Sequence, residues 1–178
     1  NANIISVKVL GNSGEGNTSW LLAGLDWIIQ NRAAYNIKVA NLSLGTTAVD
    51  SYLNDPICRK VKEMVQAGIV VVAAAGNLGK TASGAKTYGR IHSPGNSPYA
   101  ITVGATNSYG TSDPGDDSIA TFSSRGPTRS FFTTASGMRV YDNLIKPDIV
   151  APGNKLISYS AVGNQMALLN PSLINVPL

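Results

Sequence analysis

Few side chains in this 178-residue sequence can take part in covalent chemistry, and the most telling of them is an amide. Asn77 stands in Ala75-Gly76-Asn77-Leu78-Gly79, directly after the apolar run Ile69 to Ala75. A carboxamide fixed at the end of a buried strand can donate to an oxyanion as it forms, where water is scarce. Asn also tolerates the left-handed turn that such a glycine-flanked loop invites, and the loop alone leaves both uses open. The single histidine, His92, precedes Ser93-Pro94 in a turn-rich stretch and reads as structural or solvated. The single cysteine, Cys58, excludes an internal disulfide and any cysteine-based metal centre. Beside an apolar helical stripe it reads as buried and inert. Asp113, Asp116 and Asp117 offer carboxylate oxygens of the kind calcium takes, but without EF-hand spacing, so a solvated acidic loop competes with that reading. Gly110-Thr111-Ser112 runs into Asp113-Pro114 and reads as a turn.

The elements that must hold these residues follow from hydrophobic period. Ile4 to Leu10 is a β-branched run of strand length ended by Gly11, and the loop Gly11-Asn12-Ser13-Gly14-Glu15-Gly16 follows. Leu21, Leu22, Leu25, Ile28 and Ile29 recur at spacings of three and four, predicting a helix capped by Thr18 or Ser19 and ending near Arg32. A strand over 37–43 and a helix starting after Asp50 or Pro56 come next, the helix bearing the stripe Ile57, Val61, Met64 and Val65 and closed by Gly68. The third strand, 69–75, is apolar on both faces, as a central parallel strand covered on each side by helices would be. Strand, helix, strand, helix, strand makes two right-handed βαβ units. A fourth strand over 100–104 and short β pieces at 119–122, 148–150 and 156–159 follow, with a hairpin-like stretch at 130–143. Trp20 and Trp27 read as core or core rim.

In an open parallel sheet, ligands bind beyond the carboxyl ends of the strands. Three loops fall there: Gly11 to Gly16, Ser43-Leu44-Gly45, and Ala75 to Gly79. The first is G-x-x-G-x-G rather than G-x-G-x-x-G, and no G-K-[ST] occurs, so a nucleotide cofactor ranks low. The formal charge of +4 comes from scattered cations, which excludes a nucleic-acid patch. No apolar run is long enough to span a bilayer and no signal-peptide pattern is visible. Hydrophobic residues make up 43% and charged residues 13%, about half the usual charged share, which suits a packed interior.

Several runs occur in a fixed order: Val7 to Leu10, Gly14-Glu15-Gly16 before Ser19-Trp20, Asn41-Leu42-Ser43-Leu44-Gly45, and Ala73 to Gly79. They continue with Ser93-Pro94-Gly95, Ile101 to Ala105, Phe122-Ser123-Ser124-Arg125-Gly126-Pro127 and Lys146-Pro147-Asp148-Ile149-Val150-Ala151-Pro152-Gly153. From about Asn3 to Tyr159 the chain closely resembles the subtilisin-like serine proteases, the subtilase family. That resemblance implies a three-layer α/β/α fold with a parallel sheet flanked by helices. It makes Asn77 the side-chain donor of an oxyanion hole. It makes Ser43, Leu44 and Gly45 one wall, and Ala74, Ala75 and Gly76 the other, of the pocket for the substrate side chain before the cut bond. Gly14, Glu15 and Gly16 would pair with extended peptide, Glu15 favouring a basic side chain if it is more than a solvated loop carboxylate. No cofactor is required by the resemblance. It does imply a weak site for calcium or a monovalent cation on backbone carbonyls of Gly95, Ser97 and Ala100.

The triad motifs of that family, D-[ST]-G, H-G-T-H and G-T-S-M-A, are absent. Residues 1–178 are therefore expected to form one partial catalytic domain, lying between the family's histidine and serine segments and inactive alone. A non-catalytic peptide-binding module is the alternative. Part of one sheet face should then be bare, and the apolar tail Met166 to Leu169 and Leu173 to Val176 could fold back or pair with another chain, giving a homo-oligomer or a swapped dimer. An extracellular location follows from the family alone.

Overall fold

The structure, a computed structural model, describes residues 2–159 and 163–174. Its elements in chain order are α1 (Thr18–Asn31), β1 (Val39–Leu42), β2 (Thr46–Thr47), α2 (Pro56–Gln66), β3 (Val70–Ala74), β4 (His92–Ser93), β5 (Ile101–Asn107), β6 (Ser118–Ile119), β7 (Phe131–Thr133), β8 (Arg139–Tyr141), β9 (Ile149–Pro152) and the short helix α3 (Gln165–Leu169). Helix α2 starts where chemistry dictates: Asp55 accepts from the backbone N–H groups of Ile57 and Cys58, and Pro56 needs no partner in the first turn. Helix α1 is preceded by Asn17 rather than Thr18 or Ser19, and no side chain caps it.

One sheet organises the chain. Strands β1, β3, β5 and β9 run parallel in that spatial order, with β6 antiparallel on β5. β1 and β3 pair from Val39↔Val70 to Leu42↔Ala73, and β3 pairs with β5 from Val72↔Ile101 to Ala74↔Val103. Two-residue ladders join β2 to β4 and three-residue ladders join β7 to β8, so the expected hairpin over 130–143 is present. Its base is tied down by Asp142, which accepts from the Ser51 and Ser130 hydroxyls and from Tyr52 N–H.

The core lies on one face of the sheet. Leu21 and Leu25 of α1, with Ile57, Val61 and Met64 of α2, close over Ala40, Leu42, Val71 and Ala73. Cys58 is buried there as expected, and burial raises its thiol far above the usual range, so it stays protonated and inert. On the opposite face Val39, Val70, Ile101 and Ile149 are exposed, so β3 is helix-covered on one face only among the described residues. The parallel sheet flanked by helices is present, with one of the expected outer layers.

Three expectations are corrected. Residues 2–9 form no strand; Val7 and Val9 still lie against Gly24 of α1, so the apolar alternation finds its packing partner without a ladder. The stretch 156–159 is irregular and exposed, and at 119–122 only Ile119 joins a strand. Trp20 and Trp27 face solvent at the helix surface, Trp27 beside Tyr35, because the apolar stripe of α1 turns Leu21 and Leu25 inward instead. The tail positions 175–176 lie outside the described residues.

Candidate active site

All three predicted loops lie past the carboxyl ends of β1 and β3 or beside them. The walls are consecutive with the ladder. β1 runs into Ser43-Leu44-Gly45, β3 ends at Ala74 and continues through Ala75-Gly76, and the pairing stops at Leu42↔Ala73. Beyond that point each wall acquires its own support. Thr46 and Thr47 pair antiparallel with Ser93 and His92, while Ala75 donates to Val103 O at 2.9 Å and accepts from His92 N–H at 3.0 Å. The two walls thus separate past the ladder, with β4 tied to both.

Asn77 directly follows the second wall. Its side chain is exposed and makes no hydrogen bond within the described residues, so its N–H donors are available. The left-handed position of the loop is Gly76, at φ +104°, and Asn77 has no positive φ. The competing use of Asn77 as a left-handed turn residue therefore falls away. The loop beneath it is clamped. Ser124 N–H donates to Gly76 O, Ser124 Oγ accepts from Leu78 N–H, Gly79 N–H donates to Phe122 O, and Arg125 Nη1 donates to Gly79 O at 2.8 Å. These bonds fix the backbone on either side of Asn77.

Gly14, Glu15 and Gly16 border a cleft of about 560 Å³ together with Ser43, Leu44 and Gly45. Leu10, Leu21 and Ile57 give it an apolar side, and the backbone of Glu15 folds back to accept from Gly11 N–H at 2.8 Å. One groove therefore brings together the proposed peptide edge and the first wall. The size falls within the range of small-molecule and side-chain sites.

Sequence reasoning set His92 aside as structural or solvated, yet it stands between the two walls. A methyl group added to Gly76 would come within 2.7 Å of His92 Cγ, and one added to Gly45 within 3.1 Å of His92 Cβ. Burial lowers its pKa below the usual histidine value, so the imidazole is neutral at pH 7. Only a contact between β2 and β4, invisible in linear sequence, could have shown this placement.

The cation carbonyls tell a different story. Gly95 O accepts the Thr102 hydroxyl at 2.6 Å, Ser97 O accepts Ala100 N–H, and Ala100 O accepts the Lys146 ammonium at 2.9 Å. Lys146 Nζ also reaches Asp148 Oδ2 at 2.7 Å, which in turn accepts from Thr102 N–H. Burial alone would raise the Asp148 carboxyl, but the Lys146 ammonium and the Thr102 N–H outweigh it and hold it below the ordinary carboxylate value. Carbonyls already engaged by internal donors, one of them cationic, do not fit a further cation. In the 113–117 loop, Asp113 accepts from Gly115 N–H and Asp116 from the Thr111 hydroxyl, and no three acidic, His or Cys side chains gather as a metal site among the described residues.

A parallel sheet with an exposed amide just past the carboxyl end of one strand, and a cleft just past that of another, is an open α/β scaffold whose ligand region lies at the strands' carboxyl ends. The sequence model of the subtilase family, peptidase S8, matches residues 1–173. The serine protease AprX of Bacillus subtilis is 39% identical over 180 residues, covering 96% of this chain and 36% of that protein. Subtilisin E of the same species is 38% identical over 125 residues, 70% of this chain and 28% of its own length. Among solved structures, sphericase matches 83% of the chain at TM-score 0.59 and 28% identity, and the S41 psychrophilic protease matches 82% at TM-score 0.57 and 30% identity. These cover 42% and 41% of the respective neighbours. The chain belongs to the subtilase family. It spans about a third of the length of the curated relatives it matches. No helix among the described residues is long and apolar enough to cross a membrane.

Proposed function

We propose that this chain is the substrate-binding and oxyanion-stabilising part of a subtilisin-like serine endopeptidase, acting on polypeptide outside the cell. The observation that carries the reading is Asn77: exposed, without a side-chain partner within the described residues, on a loop that continues β3 beyond its carboxyl end and is clamped by residues 122–125. In such an enzyme a serine attacks the peptide carbonyl, a histidine takes its proton, and an aspartate orients the histidine. The carbonyl oxygen gains charge as the tetrahedral intermediate forms, and the Asn77 amide donates to it. Meanwhile the Gly14 to Gly16 edge and the Ser43 to Gly45 wall hold the chain of the substrate extended, and the slot between the walls takes one side chain.

The motif around each triad residue is missing from the sequence, so the chain has no activated nucleophile and hydrolyses nothing by itself. The purified chain is treated with a chromogenic peptide and a serine-directed fluorophosphonate. The expected outcome is no turnover and no labelling, with saturable binding of an extended peptide. Turnover or covalent labelling at any serine overturns the inactivity. Absence of saturable peptide binding overturns the substrate-binding role.

A further inference from the structure

Cations that are scattered along the sequence are gathered by the fold. Residues 64–112 and 118–141 contain no aspartate or glutamate, yet they carry Lys80, Lys86, Arg90, Arg125, Arg129 and Arg139. All of these but Arg125 are exposed, and none forms an ion pair among the described residues. Two segments hold them. The loop after Asn77 closes on itself: Thr87 N–H donates to Gly79 O, Thr81 N–H donates to Ala85 O, and Lys80 stands opposite Lys86 across an antiparallel bridge. Like charges directly opposite one another destabilise such a pair. The hairpin β7–β8 holds the others in a stack. Arg129 lies over the Tyr141 ring at 4.4 Å, Tyr141 lies beside Phe131 at 5.5 Å, and Arg139 lies over Phe131 at 4.5 Å. The two segments meet at Gly89, packed so closely on Arg129 Cγ that a Cβ would clash, and at Arg90, whose N–H donates to Arg125 O at 3.2 Å.

The guanidinium of Arg139 makes no hydrogen bond among the described residues, and that of Arg129 makes one, to Asn143 Oδ1 at 3.1 Å. A guanidinium laid flat on a ring keeps its N–H edge free, a fork shaped for a carboxylate. The hairpin's own carboxylate, Asp142, is engaged by Ser51, Ser130 and Tyr52. Asp50, the bridge partner of Phe131, is exposed and forms no ion pair, but five exposed cations outnumber it. We propose that the 80–90 loop and the β7–β8 hairpin form a second binding surface, outside the slot between the walls, for an acidic stretch of polypeptide. The assignment rests on the peptide-binding reading above, since Lys80 lies three residues past Asn77 and residues 49–51 join the hairpin to the strand that follows the first wall. A glutamate- or aspartate-rich run flanking the bound segment of the substrate is its ligand. The surface acts by charge, and so its contribution falls as salt screens it.

Dye-labelled peptides sharing one neutral core, extended on either side by serines, glutamates or lysines, are titrated into the chain by fluorescence anisotropy. The glutamate peptide is expected to bind about tenfold more tightly than the serine peptide at low salt, and the lysine peptide more weakly than either. Raising NaCl to about 0.5 M should abolish the difference. The double variant Lys80→Gln, Lys86→Gln and the single variant Arg139→Gln should each weaken the glutamate peptide about twofold to tenfold and leave the serine peptide unchanged. The double variant should also melt no lower than wild type, because it relieves a repulsion. The wild-type salt series decides even where a variant fails to fold. Equal binding of the serine and glutamate peptides, or an advantage that survives high salt, overturns the surface while leaving the peptide-binding reading intact. Tighter binding of a heparin fragment or a single-stranded oligonucleotide of matched charge overturns it in the same way. No saturable binding of any peptide removes that reading and the surface with it.

Discussion

Replacing Lys146 by methionine separates an internal cation from an external one. The Lys146 side chain is 4% exposed and its ammonium makes two hydrogen bonds, to Ala100 O at 2.9 Å and to Asp148 Oδ2 at 2.7 Å. Methionine keeps the apolar stem and removes the charge. The bond to the buried Ala100 carbonyl is a hydrogen bond to a charged group, about 1.5–3 kcal/mol. The pair with Asp148 counts for less, because that carboxylate is 40% exposed and screened by solvent; the range for exposed pairs, about 0.2–1 kcal/mol, applies. Lys146→Met should therefore cost about 2–3 kcal/mol, or roughly 5–10 °C in Tm for a chain of this size. Circular dichroism melts of both proteins, with chelator and with added calcium or potassium salts, measure it. Wild type should melt at the same temperature in all of these. The variant should recover part of its loss with a cation, since Ala100 O then loses its ammonium donor and Asp148 keeps only the Thr102 N–H. The pH dependence has a definite sign. Asp148 is held below its unfolded value of about 3.9, so its contribution is present above that pH and is lost as pH falls through the lower folded value. Lys146→Met should flatten that part of the acid limb. An unchanged Tm in the variant, or a wild type stabilised specifically by calcium, would refute the reasoning.

Asn77→Ala should leave Tm within about 0.5 kcal/mol of wild type, because the side chain is exposed and unpartnered within the described residues. In a triad-complete enzyme the same change should cost about 10²–10³ in turnover, a figure known from this same family; equal turnover would remove Asn77 from the oxyanion hole. Gly76→Ala meets both a φ of +104° and the His92 ring, and urea denaturation should report a loss of at least about 2 kcal/mol. Light scattering should show mass rising with concentration, because the exposed apolar row Val39, Val70, Ile101 and Ile149 needs cover. A monomer at high concentration would count against self-association.

Much of the scaffold was legible because its signals are local. The stripe of α2 and its Asp55-Pro56 start are adjacent in sequence, and the apolar run of β3 announces a buried strand. The loops 43–45 and 75–79 could be located because each continues such a strand, while their roles as walls and oxyanion donor came from the family resemblance alone. What failed was whatever depends on a distant partner. Ile4 to Leu10 has a strand's alternation, but a strand exists only where another edge accepts its backbone, and Val7 and Val9 meet a helix. His92 carries no periodic signal, and only the β2–β4 ladder brings it to the walls. Lys146 was legible as one letter of a motif and nothing more; its ammonium meets Ala100 only because β9 lies beside β5.

The low charge content finds its cause in the same geometry. A sheet with one face exposed to water ordinarily alternates apolar and polar residues along each strand. Here the outward positions Val39, Val70, Ile101 and Ile149 are as apolar as the inward ones, and register aligns Val39 with Val70 across one pair of strands. Their neighbours Val72 and Val103, on that same face, are only partly buried. Burial of apolar surface yields roughly 25 cal/mol per Å², so such a face strongly favours any complementary apolar cover, from this chain or another. Strands apolar on both faces suit two layers of helices. The cleft beside Ser43 to Gly45 begins at the carboxyl end of β1, so the bare face and the cleft share that strand. Covering that face should stiffen the walls of the slot. Peptide affinity is therefore expected to rise with protein concentration alongside the scattering mass, and an affinity independent of association would show that the two faces of the sheet act separately.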